Sequence, residues 1–333
     1  MIEVAVDALG GDHAPEEIVA GAVEAASAEV EPILYGPAGL EAQDLRVVAT
    51  NGVVGMHEKP ADAVRGKPES SLVRAVRAVG EGEADAVVSA GNTGAMLAAS
   101  LLYVRRLPGV FRPAIAVVIP ARRGPIVLID GGANADARPE HLLQFGHMGA
   151  VFAEEILGIP EPEVRLLSIG EEPEKGNQLT LETHGLLAAS GLHFTGNAES
   201  RLLLEGEADV IVCDGFTGNV ALKALEGTIR SVFGALRREI GATSRGRLGG
   251  LLIRPAVRRV RARLDPETYG GAYLLGLRGL VVISHGSSSR RAVANAIRMA
   301  ARGVEHDVVT RLAERMPERV VESARSTTPT GDK

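Results

Sequence analysis

The stretch Gly82-Glu-Ala-Asp-Ala-Val-Val-Ser-Ala-Gly-Asn-Thr-Gly94 decides the fold class of this chain. Its apolar run, Ala86 to Val88, leads through Ser89 into Gly, Asn and Thr, which is the pattern of a buried strand that enters a turn. A similar stretch recurs as Gly206-Glu-Ala-Asp-Val-Ile-Val-Cys-Asp-Gly-Phe-Thr-Gly218. The repeat predicts a strand-turn-helix unit that the fold uses twice.

Short β-branched runs alternate with longer alanine-rich stretches along the rest of the chain. Strands read as continuously apolar when helices cover both faces of a mostly parallel sheet. We therefore predict an α/β fold, a three-layer α/β/α sandwich with a mostly parallel sheet. The predicted strands are Val4 to Val6, Ala86 to Val88, Ala114 to Ile119, Ile126 to Ile129, Val164 to Leu167, Val210 to Val212 and Leu280 to Ile283.

Composition limits the classes of function. Hydrophobic residues make up 45% of the 333 residues and charged residues 23%, which is typical of a globular protein with a sizeable core. Aromatic residues make up only 3% and Trp is absent, so stacking platforms for single-stranded nucleic acid are not expected. We predict a globular protein that does not bind nucleic acid.

The cysteine and histidine content bears on compartment and metal binding. The single cysteine, Cys213, permits no internal disulfide and no multi-thiolate metal site. The chain starts with a strand pattern rather than a signal sequence, and no apolar run approaches the roughly 20 residues of a transmembrane helix. His13, His141 and His285 lack metal-ligand spacing. We expect a cytoplasmic protein without a metal or a cofactor.

Glycine-rich turns follow five of the predicted strands. Because ligands bind beyond the carboxyl ends of strands in open parallel sheets, we predict that these turns outline one site at one edge of the sheet. Glycine lets the backbone approach an anion, and the next helix offers unpaired N–H groups, so phosphate is the expected ligand. The turns are Asp7 to His13, Ser89 to Gly94, Asp130 to Asn134, Asp214 to Asn219 and Ser284 to Ser287.

The candidate binding residues lie in these turns and in a lysine-containing loop. Lys175 stands beside Gly176, where a point charge can meet a phosphate, and Lys67 lies in a similar context. The candidate substrate-binding residues are Gly10, Gly11, Asp12, His13, Gly91, Asn92, Thr93, Gly94, Gly131, Asn134, Asn177, Thr217, Gly218, His285 and Ser287.

The polar turn residues have more than one interpretation. Thr93, Thr217 and Ser287 equally suit helix N-caps. Aspartates at strand ends, such as Asp130 and Asp214, suit turn capping, substrate orientation or Mg²⁺ binding. Neither the GxGxxG motif nor the P-loop is present, so the turns do not predict a standard dinucleotide or nucleoside triphosphate site.

The region 228–266 differs in composition from the rest of the chain. Between Ser244 and Leu264 it contains seven arginines and no acidic residue. Leucines and other apolar residues recur at helical spacing opposite the arginines, which predicts a basic amphipathic helix that can lie on a membrane surface. We expect a single α/β catalytic domain over 1–321 that carries 228–266 as a helical protrusion, followed by a disordered tail over 322–333.

Taken in order, several motifs resemble the PlsX family, the acyl-[acyl-carrier-protein]:phosphate acyltransferases. The resemblance covers nearly the whole chain, and the ordered set is specific although each motif alone is not. The motifs are Asp7-Ala-Leu-Gly-Gly-Asp-His-Ala-Pro15, Ser89-Ala-Gly-Asn-Thr-Gly-Ala95, Asp130-Gly-Gly-Ala-Asn134 with Pro139-Glu-His-Leu142, Glu171 to Asn177, Asp214 to Lys223 and Tyr269-Gly-Gly-Ala272.

The resemblance implies reversible transfer of a long-chain fatty acyl group from acyl carrier protein to inorganic phosphate, which gives acyl phosphate for phospholipid synthesis. It also implies a homodimer with a fold similar to isopropylmalate dehydrogenases and phosphotransacetylases. Members are cytoplasmic, associate peripherally with the cell membrane, and pass their product to a membrane glycerol-3-phosphate acyltransferase.

The resemblance also suggests roles for individual residues. We expect phosphate to attack the thioester directly, held by the turns 91–94 and 215–219, with Lys175 as counter-charge and Asn219 or a turn N–H at the developing oxyanion. Asp214 is the third candidate catalytic residue. The residues expected to contact an anionic membrane or the carrier protein are Leu248, Leu251, Leu252, Arg254, Arg258 and Arg261.

The chain departs from the family pattern at several positions. Leu9 replaces the usual Met, Pro173 interrupts an acidic-lysine run, and Leu202 stands where the family has an acid, so any role of that carboxylate is in doubt. Because fold does not fix function, other functions are possible. The alternatives are a short-chain phosphotransacetylase, a metal-dependent decarboxylating dehydrogenase and a non-catalytic acyl or phosphate sensor at the membrane. For the region 228–266 the alternative is a helix pair that packs in a dimer.

Overall fold

The computed structural model describes residues 1–316, so the tail predicted at 322–333 lies outside the described residues. Within that range the strands form one eleven-stranded sheet. The strands are β1 (Ile2–Asp7), β2 (Val30–Gly36), β3 (Val47–Ala49), β4 (Ala86–Ser89), β5 (Ala114–Pro120), β6 (Pro125–Ile129), β7 (Val164–Ser168), β8 (Phe194–Glu199), β9 (Val210–Val212), β10 (Ala272–Leu275) and β11 (Leu280–Ile283).

Helices lie between most of the strands, as the alternating sequence pattern predicts. The α-helices of residues 1–316 are α1 (Glu16–Ala25), α2 (Pro60–Gly66), α3 (Ser71–Glu81), α4 (Thr93–Ala99), α5 (Pro139–Phe152), α6 (Gln178–Ala188), α7 (Gly215–Ala242), α8 (Ser244–Arg263), α9 (Arg290–Glu305) and α10 (Val308–Arg315).

α3 illustrates how local sequence sets these elements. Its apolar residues recur three and four positions apart, so one face of the helix is buried through Leu72, Val73 and Val76. The helix ends at Gly82, which adopts the left-handed conformation with φ 77° that favours glycine after a helix. The predicted strand at 86–88 follows at once as β4, and it is fully buried.

The sheet consists of two parallel blocks that run in opposite directions. The strand order is β3-β2-β1-β4-β11-β10-β5-β6-β9-β7-β8. The first block contains β1, β2, β3, β4 and β11, and the second contains β6, β7, β8 and β9. Between the blocks, β10 is antiparallel to β11 and to β5, and β5 is antiparallel to β6. The α/β class and the mostly parallel sheet are confirmed.

The strand directions correct the prediction that five turns share one edge of the sheet. The turns after β1, β4 and β11 lie at the carboxyl edge of the first block. The turns after β6 and β9 lie at the carboxyl edge of the second block, which is the opposite edge, because three antiparallel pairings separate the blocks. The loop that carries Lys175 follows β7 and lies at this second edge.

The two faces of the sheet differ in how their cores are arranged. On one face a single apolar cluster joins both blocks and includes residues of α1, α5, α9 and α10. On the other face the apolar side chains form two clusters, one beneath α2, α3 and α4 and the other beneath α7 and residues 200–204. Ile115 and Ile119 of β5 belong to different clusters of this face, which we call the split face.

α7 and α8 form an extended pair of helices. α7 contains 28 residues and spans about 42 Å, and α8 packs against it. Within the described part of the chain, α8 buries none of its residues. No helix of residues 1–316 combines the length and the apolar character needed to cross a membrane.

Candidate active site

A buried hydrogen-bond chain joins the turns after β1 and β4. The Ser89 hydroxyl donates to the Asp7 carboxyl at 2.7 Å and accepts from the Gly91 N–H at 3.0 Å. Asp7 is 1% exposed, and burial raises the pKa of its carboxyl. A side chain at Gly10 would lie 2.4 Å from an Asp7 oxygen, so the two turns meet closely only because glycine stands there. The Gly91 N–H is therefore committed to this internal network.

Asn92 fixes the segment 55–58 against the turn after β4. Its side-chain oxygen accepts from the Ala95 N–H at 3.0 Å, which makes it the N-cap of α4. Its amide nitrogen lies within hydrogen-bond distance of the carbonyls of Gly55, Met56 and Glu58. These bonds engage the side chain of Asn92, so the geometry favours a structural role for this candidate.

His285 accepts a hydrogen bond from its own turn through one ring nitrogen. The Ser287 N–H donates to Nδ1 at 3.2 Å, and the Ser287 hydroxyl lies 2.8 Å from the same nitrogen. A backbone N–H can only donate, so Nδ1 accepts and the ring proton of the neutral imidazole lies on Nε2. The Asp12 N–H donates to the Gly286 carbonyl at 2.7 Å, which brings the turns after β1 and β11 together.

The turn after β6 is organised by its own aspartate. Asp130 is 0% exposed, and its carboxylate accepts from the N–H groups of Ile115, Gly132, Ala133 and Asn134 at 2.7–3.0 Å. The Asn134 amide donates to the same carboxylate at 2.8 Å. An internal anion therefore occupies the backbone N–H groups that the sequence suggested for phosphate.

The turn after β9 begins α7 with a capping aspartate. Asp214 accepts from the Thr217 N–H at 2.9 Å and from the Thr217 hydroxyl at 2.6 Å. The Gly218 position is tightly packed, because a side chain there would lie 2.0 Å from the Asp130 carbonyl. Capping, the alternative left open by the sequence, therefore accounts for the contacts of Asp214 and Thr217, and Asn177 caps α6 in the same way.

Lys175 and Asn219 differ from these neighbours because their side-chain nitrogens have no hydrogen-bond or ion-pair partner within residues 1–316. Both lie at the carboxyl edge of the second block, after the adjacent strands β7 and β9. The Lys175 loop is held in place because the Ser168 hydroxyl donates to the Lys175 carbonyl at 2.9 Å. The Asn219 side chain lies beside Gly132, at 3.5 Å from the position of a Cβ there.

The structure thus brings the candidates together in two groups. Gly10, Gly11, Asp12 and Gly91 meet at the first edge, where Gly286 brings the turn of His285 against Gly11 and Asp12. The second-edge group is Gly131, Asn134, Asp214, Thr217, Gly218 and Asn219. Within residues 1–316 no hydrogen bond joins the first group to the second. Sequence reasoning missed the role of Ser89, although its place at a strand end beside Gly91 was a usable signal.

Two further residues bear on the chemistry of the site. Cys213 is buried, and burial raises the pKa of its thiol well above the ordinary value, which disfavours the reactive thiolate. Leu202, where the resemblance led us to expect an acid, is 4% exposed and packs in the second cluster of the split face. A buried apolar side chain therefore occupies this position. Within residues 1–316 no three His, Cys, Asp or Glu side chains are grouped as metal ligands.

Comparison with known proteins identifies the family. The family described as "Fatty acid synthesis protein" matches residues 2–311. The chain belongs to this family. It is 46% identical over 331 residues to the phosphate acyltransferase of Heliobacterium modesticaldum, which covers 96% of this chain and 99% of that protein. It is 47% identical over 323 residues to the phosphate acyltransferase of Moorella thermoacetica, which covers 94% of this chain and 95% of that protein.

Solved structures support the fold assignment of this fatty acid synthesis family member. A branched-chain phosphotransacylase from Enterococcus faecalis matches with a TM-score of 0.60 at 17% identity, over 92% of this chain and 100% of that one. A phosphotransacetylase from Streptococcus pyogenes also gives 0.60, at 18% identity, over 91% of this chain and 94% of that one. The predicted likeness to phosphotransacetylase folds is confirmed.

Proposed function

We propose that this protein transfers a long-chain fatty acyl group reversibly from acyl carrier protein to inorganic phosphate and thereby forms acyl phosphate for phospholipid synthesis. The observation that carries the proposal is the 46% identity to a phosphate acyltransferase over 96% of this chain. The phosphotransacetylase-like fold is compatible with acyl transfer between a thioester and phosphate, although a fold alone does not specify a reaction.

The reaction needs little covalent chemistry from the protein. A phosphate oxygen attacks the thioester carbon, the carbonyl becomes an oxyanion, and the C–S bond then breaks with its electron pair on sulfur. The proton that hydrogen phosphate carries ends on the sulfur, so the products are acyl phosphate and the free thiol. The protein has to align the two substrates and stabilise the oxyanion. No protein nucleophile is required, which fits the buried thiol of Cys213.

Lys175 is the proposed counter-charge for phosphate. Its ammonium group is exposed and has no ion-pair partner within the described residues, and the loop around it is held by hydrogen bonds from Ser168 and Asn197. Asn219 is the proposed oxyanion donor, because its amide is likewise unpaired in that part of the chain and lies beside the ordered turn of Asp130. His285 Nε2 is a donor of the first edge and is a candidate for contact with the acyl donor.

The strand directions refine the hypothesis that the turns 91–94 and 215–219 hold one phosphate together. The two turns lie at opposite edges, but the helices that follow them, α4 and α7, both pack on the split face. We therefore propose that phosphate binds at the second edge, near Lys175 and Asn219, and that the thioester reaches it along the split face.

The activity test measures acyl phosphate formation from palmitoyl carrier protein and inorganic phosphate, with acetyl-coenzyme A as a parallel donor. Turnover with the carrier-protein donor is expected, and turnover with acetyl-coenzyme A alone would favour a short-chain phosphotransacetylase instead. Lys175→Ala is expected to raise KM for phosphate at least tenfold, whereas Lys175→Arg keeps the charge and most of the affinity. Glu174→Ala, in the same loop, is the control for loop damage.

α8 is proposed as the surface that meets an anionic membrane or the acidic carrier protein. Within residues 1–316 none of its arginines forms an ion pair, which leaves Arg254, Arg258 and Arg261 available to anionic groups. Leu251 and Leu252 are 64% and 78% exposed. The same proposal includes a cytoplasmic location with peripheral membrane association, a homodimeric state, and transfer of product to a membrane glycerol-3-phosphate acyltransferase. These properties rest on the family resemblance.

A further inference from the structure

The division of the split face leaves an uncovered position near the centre of the sheet. β5 lies between β10 and β6, with five strands on the far side of β10 and three on the far side of β6. Its residues Ile115 and Ile119 are 6% and 3% exposed, and the residue between them on the same face, Val117, is only partly buried. Ala116 and Val118, which face the opposite side, are 0% and 5% exposed. The opening therefore lies on the split face alone.

Val117 stands at the junction of the two apolar clusters of this face. It packs against the cluster beneath α3 and α4 and against the cluster beneath α7, and it is the partly buried residue common to both. The single cluster on the opposite face needs no such junction, because it joins the two blocks without interruption. We call the partly exposed stretch of the split face over Val117, between the clusters beneath α4 and α7, the cleft.

Two glycines lie between the cleft and Asn219, the candidate oxyanion donor. A side chain at Gly131 would lie 2.6 Å from Cγ2 of Val117, so the turn after β6 passes directly beside this residue. A side chain at the next residue, Gly132, would lie 3.5 Å from Cβ of Asn219. Val117 and Asn219 are thus linked by one short stretch of side-chain-free backbone.

Apolar side chains pack against both clusters that border the cleft. Partly buried side chains that pack against the α4-side cluster include residues of α4 and of the turn after β6, and those that pack against the α7-side cluster belong mainly to α7. Apolar side chains of this kind suit a hydrocarbon chain and not a phosphate. The residues concerned are Leu97, Ala98, Ala133, Ala221, Leu222 and Leu225.

We propose that this cleft binds the fatty acyl chain of the donor, with the chain over Val117 and the thioester carbonyl at Asn219. The assignment rests on the proposed acyl transfer and adds to it the subsite that senses chain length. Each methylene buried in an apolar site raises affinity by roughly fourfold, so a cleft of this kind discriminates long chains from short ones. The size of the side chain at Val117 then determines how closely the acyl chain can pack against the sheet.

The test fills the cleft and varies the acyl chain. Butyryl, octanoyl and palmitoyl thioesters of acyl carrier protein are compared as donors for wild type, Val117→Phe and Ala98→Phe, the latter at a partly exposed residue of α4 that packs against the same cluster as Val117. Both variants are expected to lose at least tenfold in kcat/KM with palmitoyl donor and less than twofold with butyryl donor. Leu181→Phe, on the exposed side of α6, is the control and is expected to keep the wild-type profile.

The outcomes separate this inference from the proposed function. If wild type forms acyl phosphate but both Phe variants keep its chain-length profile, or lose activity equally at every length, the cleft does not bind the chain. If wild type forms no acyl phosphate from any donor, the proposed function itself fails. Thermal unfolding of each variant verifies folding, and Ala98→Phe provides the decision if Val117→Phe does not fold.

Discussion

The carboxylate of Asp130 accepts both the backbone N–H of Asn134, at 2.7 Å, and its side-chain amide, at 2.8 Å. Asn134 in turn accepts the Gly215 N–H through its carbonyl at 2.8 Å. One buried aspartate thus sets the conformation of the turn after β6 and, through Asn134, the start of α7. Asn219 lies in the first turns of that helix, so the position of the proposed oxyanion donor depends on Asp130.

Asp130→Asn is expected to lower the free energy of unfolding by about 3 kcal/mol, because an amide nitrogen would then face N–H donors that remain buried without an acceptor. Urea denaturation measures the change. Asp136→Asn, at an exposed position of the loop that follows, is the control and should stay within about 0.5 kcal/mol of wild type. Equal stability of the two variants would contradict the role assigned to Asp130.

Asp7→Asn is expected to show a pH-dependent effect on stability. Burial raises the pKa of Asp7 above its ordinary value of 3.8, so the folded state favours the protonated form. The contribution of Asp7 to stability is therefore complete below that ordinary value and is lost as the pH rises through the raised one. The loss of stability of the variant relative to wild type should accordingly be largest at acid pH and smaller towards neutral pH. Urea titrations of both proteins between pH 4 and pH 8 test this, and a constant difference would refute it.

Asn219→Ala is expected to lower kcat roughly 100-fold while KM for phosphate changes little, because an oxyanion donor acts mainly in the transition state. Steady-state acyl phosphate formation gives both constants. Asn51→Ala removes an exposed asparagine from another loop and should leave kcat unchanged. A rise in KM without a loss of kcat would instead make Asn219 a phosphate-binding residue.

Replacing Leu251 and Leu252 of α8 with Glu is expected to abolish co-sedimentation with anionic vesicles and to leave activity on soluble substrates intact. The two leucines are exposed, and acidic groups in their place would oppose both insertion and attraction to the surface. Leu181→Glu, at another exposed leucine, is the control. Unaltered sedimentation of the double variant would show that α8 does not carry membrane contact.

The sequence predicts the strands better than their arrangement. Each of the seven predicted strands lies within an observed strand, but β2, β3, β8 and β10 were missed. β8 is partly polar and so lacks the apolar run that marks a buried strand, whereas β10 is as short and apolar as β11 but directly follows two glycines, which indicate a turn. Apolar runs carry no information about direction. Arg123-Gly124 in the connection between β5 and β6 was the available sign of a hairpin, but this sets only β6 against β5, and the opposite directions of the blocks also depend on the missed strand β10.

The sequence predicted the positions of the candidate turns but not the hydrogen-bond partners of their residues. Glycine and asparagine marked turns that do follow strands in the structure, but the sequence could not decide which N–H groups remain free. Asn92 and Asp214 prove to be the caps of α4 and α7, rather than Thr93 and Thr217, and Ser289 caps α9. The cleft over Val117 could not be foreseen, because it depends on where two helices lie on one face of the sheet.

The carboxylate of Asp130 lowers the entropic cost of binding a substrate at the turn after β6. A glycine-rich loop usually loses conformational freedom when a ligand arrives, and that loss is subtracted from the affinity. Here Asp130 already holds Gly132, Ala133 and Asn134 in place before any substrate is present. The loop is preorganised, so the entropy of ordering it belongs to folding and not to catalysis.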